Sequence, residues 1–107
     1  MIRSVVITQR AKADLRSYYL LAAEHAPMTA AKWLFRFEAA LETLSTNAER
    51  FSIAPENNLV DETIRQLYFG KGVGKFRALF LISDAQVVVL HIRRGTMDRA
   101  EPIDFES

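Results

Sequence analysis

The chain has 107 residues, half of them hydrophobic, a formal charge of +1 and no cysteine. That length suits one domain over residues 1–107 with a modest core. The lack of cysteine excludes disulfides and thiolate metal or redox sites and suits a reducing cytoplasm. No apolar run approaches the roughly 20 residues that span a bilayer, and the opening Met-Ile-Arg-Ser-Val-Val-Ile is too short for the core of a signal peptide.

Ile2 to Thr8 is β-branched and reads as a first strand. Helical patterns follow it, so its partner must lie later in the chain. Thr8 suits the N-cap of the next element. From Gln9 to His25 the positions Ala11, Leu15, Tyr18, Tyr19, Ala22 and Ala23 recur at spacings of three and four, which predicts an amphipathic helix. Pro27 disfavours helical geometry in the residue before it and breaks that helix. A second helix is expected from Thr29 to Asn47, with Trp33, Leu34, Phe37, Ala40, Leu41 and Leu44 on one stripe. The short break makes the two an antiparallel hairpin.

Residues 48–61 read as a loop, with Phe51 and Ile53 expected to pin it to the core. Three strands follow: Thr63–Phe69, Lys75–Ile82 and Val87–Arg93, separated by a glycine-rich turn and by Ser83–Gln86. Strict alternation puts Arg65, Leu67 and Phe69 on one face of the first of these, and Gln66 and Tyr68 on the other, where Tyr68 is expected in the core. It places His91 and Arg93 on the side of Val87 and Val89. The tail, 96–107, is acidic. The expected architecture is α+β, in the order β-α-α-β-β-β, with the helix hairpin packed on a twisted, mainly antiparallel sheet.

Charge is uneven. Residues 1–64 hold seven basic and eight acidic side chains, whereas 65–99 hold Arg65, Lys71, Lys75, Arg77, Arg93, Arg94 and Arg99 against Asp84 and Asp98. Arg65 and Arg77 are expected together on the sheet face away from the helices. Such a surface suits phosphate or carboxylate partners, or it simply keeps a sheet face solvated. His91 has the residue type for proton transfer, or a structural place in its strand. The Gly-Lys-Gly-Val-Gly turn lacks the spacing and following helix of a phosphate loop. No histidine–carboxylate spacing suggests a metal site, and no cofactor motif is present.

The residues also match a family pattern. The pieces V-V-I-T-Q-R-A-K-A-D-L, A-A-K-W-L-F-R-F-E-A-A-L-E-T-L, F-S-I-A-P-E-N, I-R-Q-L-Y-F-G-K, F-R-A-L-F-L-I and V-V-V-L-H-I-R-R-G-T follow one another along almost the whole chain. In this the chain resembles the RelE/ParE superfamily, the toxins of type II toxin–antitoxin modules, often labelled plasmid-stabilisation proteins. The resemblance implies the element order above and a growth-inhibiting toxin neutralised by a cognate antitoxin, whose C-terminal segment wraps the helix hairpin and sheet. Operator DNA would be met only through the antitoxin. On the hairpin, Leu15, Tyr18, Tyr19, Trp33 and Phe37 are the candidate antitoxin contacts, the stripe being either mostly core or partly open.

Two activities divide the superfamily. The RelE-like branch cleaves mRNA on the ribosome and the ParE-like branch inhibits DNA gyrase. A RelE-like reading would use Arg65, Arg77 and Arg94 for phosphate and His91 for proton transfer. The C-terminal tyrosine expected of such a nuclease is absent, since the tyrosines are Tyr18, Tyr19 and Tyr68. That departure favours a ParE-like toxin that works by binding, with Arg65, Lys71, Lys75, Arg77, Arg93 and Arg94 as candidate target contacts. A family member that keeps antitoxin binding without toxicity is the third alternative.

Overall fold

A computed structural model describes residues 2–55, 63–70 and 75–95. Strand β1 is Ser4–Ile7, helix α1 Gln9–Ala23, helix α2 Pro27–Glu42, and strands β2, β3 and β4 are Arg65–Phe69, Phe76–Ile82 and Gln86–Arg94. Two single 3-10 turns, Thr43–Ser45 and Ala48–Arg50, lie between α2 and β2. The predicted order is therefore the observed one.

Local chemistry sets the boundaries. The Thr8 hydroxyl accepts the Ala11 amide at 3.2 Å, capping α1. It also lies 3.0 Å from the Val89 carbonyl, so one side chain ties the helix start to β4. Pro27 opens α2 rather than merely ending α1, because its fixed φ and missing N–H suit the first helical position. The second helix also stops short of Asn47. It tightens into a 3-10 turn after Glu42, and Asn47 takes a left-handed φ of 55°.

The sheet runs β1-β4-β3-β2. β1 pairs with β4 in parallel and the other pairs are antiparallel. Both helices cover one face, and the main core forms between them: Ala11, Leu15, Phe37 and Leu41 meet Leu67, Ala78, Phe80, Val87, Val89 and Ile92. Phe76 and Phe37 centre an aromatic cluster, Phe76 lying 4.9 Å from Tyr18 and 5.1 Å from Trp33, and Phe37 4.6 Å from Phe69. A smaller cluster of Ala54, Ile64 and Leu79, with Leu81 and Leu90 against it, lies across the sheet. Phe51 packs on the main core as expected. The Ile53 side chain is exposed instead, and its backbone bridges Arg65.

Two expectations about facing are corrected. Arg65 pairs with Phe80 and Arg77 with Tyr68, so the two arginines project from opposite faces. Along β4 the register slips between Leu79 and Phe80: Leu79 faces His91 while Phe80 faces Val89, leaving Leu90 as an extra residue. Beyond this bulge the alternation inverts. Ile92 joins Val87 and Val89 in the core, and His91 and Arg93 stand on the side of Leu79 and Arg77.

Candidate functional site

The expected arginine face contains less free charge than its composition suggests. Arg77 is 0% exposed. Its Nε donates to the Gly95 carbonyl at 3.1 Å and its Nη1 to Gln66 Oε1 at 3.2 Å, while Gln66 Nε2 reaches Ser52 Oγ at 3.3 Å. A buried guanidinium needs such acceptors, and here they fasten β2, β3 and the end of β4. Arg65 is half-buried and donates to the Glu49 and Phe51 carbonyls at 3.2 and 2.8 Å, holding the loop before β2. Both are thus framework groups. Arg93 is half-buried, Arg94 is exposed, and Lys71 lies outside the described residues.

His91 is 1% exposed. Its Nδ1 is hydrogen-bonded to Asp14 Oδ2, and the same oxygen accepts the Ile92 amide at 3.0 Å. Asp14 Oδ1 accepts from Arg10 Nε at 3.1 Å. Burial opposes ionisation of Asp14, but the hydrogen bonds from His91, Ile92 and Arg10 outweigh it and hold its carboxyl below the ordinary value. Arg93 Nη1 and Arg10 Nη2 approach His91 Nε2 at 3.3 and 3.5 Å. We assign Nδ1–H as the donor to Asp14, which leaves Nε2 as the acceptor facing both guanidiniums. The arrangement has a topological cause. β1 ends at Ile7, so among the described residues no strand lies beside the β4 edge past Val89, and Asp14 on α1 takes the Ile92 amide there.

Tyr68 is not core: it is 41% exposed on the face away from the helices. The Lys75 ammonium lies 4.5 Å over its ring centroid.

The hairpin residues divide. Leu15 and Phe37 are buried core, and Tyr18 and Trp33 are half-buried in the aromatic cluster. Of the five candidates, Leu15 and Tyr19 line an open groove of about 560 Å³ between the helices. Ile7, Leu20 and Leu34 complete its apolar wall, with Lys12, Arg16 and Glu38 at its lips. Beyond it, Met28 and Phe35 stand 77% and 73% exposed.

Two features lay outside the sequence reading. Asp14 and Arg10 were readable only as an i, i+4 pair on α1, and nothing local tied them to His91. Met28, Ala31, Phe35 and Ala39 do carry a signal, a second stripe at helical spacing that α2 turns towards solvent. Among the described residues no three histidine or acidic side chains group in a way that would hold a metal ion. No helix among them is long and apolar enough to cross a membrane.

Comparison with known proteins places this architecture. A family profile described as the ParE toxin of type II toxin–antitoxin system, parDE, matches residues 5–99. The chromosomal ParDE system of P. aeruginosa contains a chain with the same fold, at TM-score 0.72 and 23% identity, covering 88% of this chain and 97% of that one. A chain of the RelBE2 toxin–antitoxin complex of Mycobacterium tuberculosis aligns at TM-score 0.52 and 22% identity, over 88% and 99%. No curated protein matches the sequence.

Proposed function

We propose that this chain, which belongs to the ParE toxin family of type II toxin–antitoxin systems, arrests growth by binding its target and not by cleaving RNA. The observation that carries the reading is the burial of Arg77 and His91. A nuclease of the RelE-like kind must bring a phosphate-binding arginine and a proton donor to the same scissile phosphate. Here both are internal: the arginine spans strands and the imidazole is bonded to Asp14. Binding requires only a surface, and Lys75 and Arg93 with the exposed Tyr68 supply one on the open face, while the exposed Arg94 projects from the Phe76 side. DNA gyrase is the target that the ParE-like resemblance implies, and it puts the site of action in the cytoplasm.

The same reading gives the toxin a cognate antitoxin, as the two structural relatives come from toxin–antitoxin systems. The groove between α1 and α2 suits an amphipathic helix laid into apolar side chains. Leu15, Tyr19, Leu20 and Leu34 would be its floor and wall. Tyr18, Trp33 and Phe37 act from beneath, by fixing the spacing of the helices.

Brief expression in cells tests the reading. DNA supercoiling, an SOS reporter and transcript ends are followed together. Loss of negative supercoiling with intact transcripts is expected. Cuts within codons at unchanged supercoiling would overturn the binding mechanism in favour of ribosome-dependent cleavage, and normal growth would remove toxicity altogether.

A further inference from the structure

We propose that Tyr68 and Lys75 form the anchor by which the open sheet face grips its target, and that the target presents an acidic protein surface to them. This rests on the reading of the chain as a toxin that acts by binding. Most side chains on that face have internal work. Arg77 and His91 are buried, and Leu79, Leu81 and Leu90 belong to the small apolar cluster. Tyr68 is the large aromatic there that stays exposed, and Lys75 is held over its ring instead of extending into solvent. Tyr68 lies near the end of β2 and Lys75 immediately precedes β3, at one end of the sheet where Phe69 pairs with Phe76.

The pair has the properties of an interface anchor. A tyrosine offers a large, stiff, amphipathic contact with few torsions to freeze, and such residues recur at energetic centres of interfaces. The cation–π contact fixes a normally mobile ammonium, so less entropy is lost when a partner carboxylate meets it. The surroundings are basic. On this face the strands add Arg93 beside the buried Arg77 and carry no aspartate or glutamate, so charge complementarity calls for an acidic partner. A nucleic acid would use Tyr68 as a stacking platform, but Lys75 already lies over one face of the ring. A carboxylate can reach the outer side of the ammonium without displacing it.

Growth arrest at graded expression of the full chain tests this, with melting temperature as the check that each variant is folded. Tyr68→Ala and Lys75→Met are expected to need about tenfold more protein for the same arrest, the loss typical of an anchor residue. Lys75→Arg should retain arrest, and Lys75→Glu should lose it more fully than Lys75→Met. Arrest at the wild-type dose by both Tyr68→Ala and Lys75→Met overturns the anchor. Equal effects of Lys75→Glu and Lys75→Met overturn the acidic partner. So does binding of a labelled single-stranded oligothymidylate that Tyr68→Ala abolishes. Failure of the wild type itself to arrest growth refutes the toxin reading, and the anchor with it.

Discussion

Replacing Asp14 with alanine removes the carboxylate through which α1 accepts from the β4 edge beyond Val89. Three donors lose their acceptor: His91 Nδ1, the Ile92 amide at 3.0 Å and Arg10 Nε at 3.1 Å. A buried polar group left unsatisfied costs about 1–3 kcal/mol. His91 is buried, and the Ile92 amide points at a carboxylate whose side chain is 14% exposed, so water reaches the site only in part. The Arg10 contact is more exposed and adds at most about 0.5 kcal/mol. The expected loss is therefore about 2–4 kcal/mol, a large share of the 5–15 kcal/mol typical of a domain. Asp14→Asn keeps one acceptor oxygen and should lose about half as much. Urea titration with linear extrapolation measures both. The pH dependence gives an independent reading. The folded carboxyl titrates below its unfolded value of 3.8, so the folded state binds fewer protons in that range. The stabilisation is complete above about 3.8 and disappears as pH falls through the lowered folded value. Wild type should lose this component on acidification, and Asp14→Asn should lack it. A loss below about 1 kcal/mol in Asp14→Ala, or identical acid profiles for wild type and Asp14→Asn, would refute the argument.

Phe37→Ala empties the centre of the aromatic cluster and should cost about 3–5 kcal/mol, read as a collapse of the thermal transition. Arg77→Ala leaves Gln66 Oε1 and the Gly95 carbonyl without their guanidinium and opens a cavity between strands. It should destabilise by about 3 kcal/mol, so any loss of toxicity should follow the loss of folded protein in a chemical melt. Leu20→Asp at the groove wall should change stability by less than about 0.5 kcal/mol, yet abolish co-purification with the cognate antitoxin.

Where the chain obeys a simple period, its sequence was enough. The apolar spacing of Ala11, Leu15 and Tyr18, and of Trp33, Phe37 and Leu41, located both helices and the face they bury. The β-branched runs located all four strands, and the partner that Ile2 to Thr8 required is β4. What stayed hidden depended on contacts remote in sequence. Arg77 has a side chain normally found outside, and acceptors distant in sequence, Gln66 and Gly95 among them, make its burial tolerable. His91 is read correctly only once Asp14, 77 residues earlier, is beside it. Tyr68 reads as core in the sequence because it faces the side opposite Arg65, and Arg65 is the one that lies on the helix side. Its strand lies at the sheet edge, where one face is covered by helices and the other is largely open.

The bulge at Leu90 shows how far one residue can redirect such a reading, and it supports a test of its own. Strict alternation would send His91 and Arg93 into the helix-facing core with Val87 and Val89, and push Ile92 out. With the extra residue, Leu79 pairs with His91 and Phe80 with Val89, so Ile92 enters the core and His91 reaches the sheet edge where Asp14 waits. Deleting Leu90 should therefore leave every other β4 side chain on its present face, because Val89 and His91 would become neighbours in an unbroken ladder. The variant loses the Leu90 contact with the small cluster of Ile64 and Leu79, together with the carbonyl that Thr8 Oγ1 approaches at 3.2 Å. The expected cost is about 1.5–3 kcal/mol for the apolar contact, measured by urea titration, with the chain still folded. Failure of the deletion variant to fold would mean that the local twist of the bulge, and not its effect on facing, is what the Asp14–His91 contact requires.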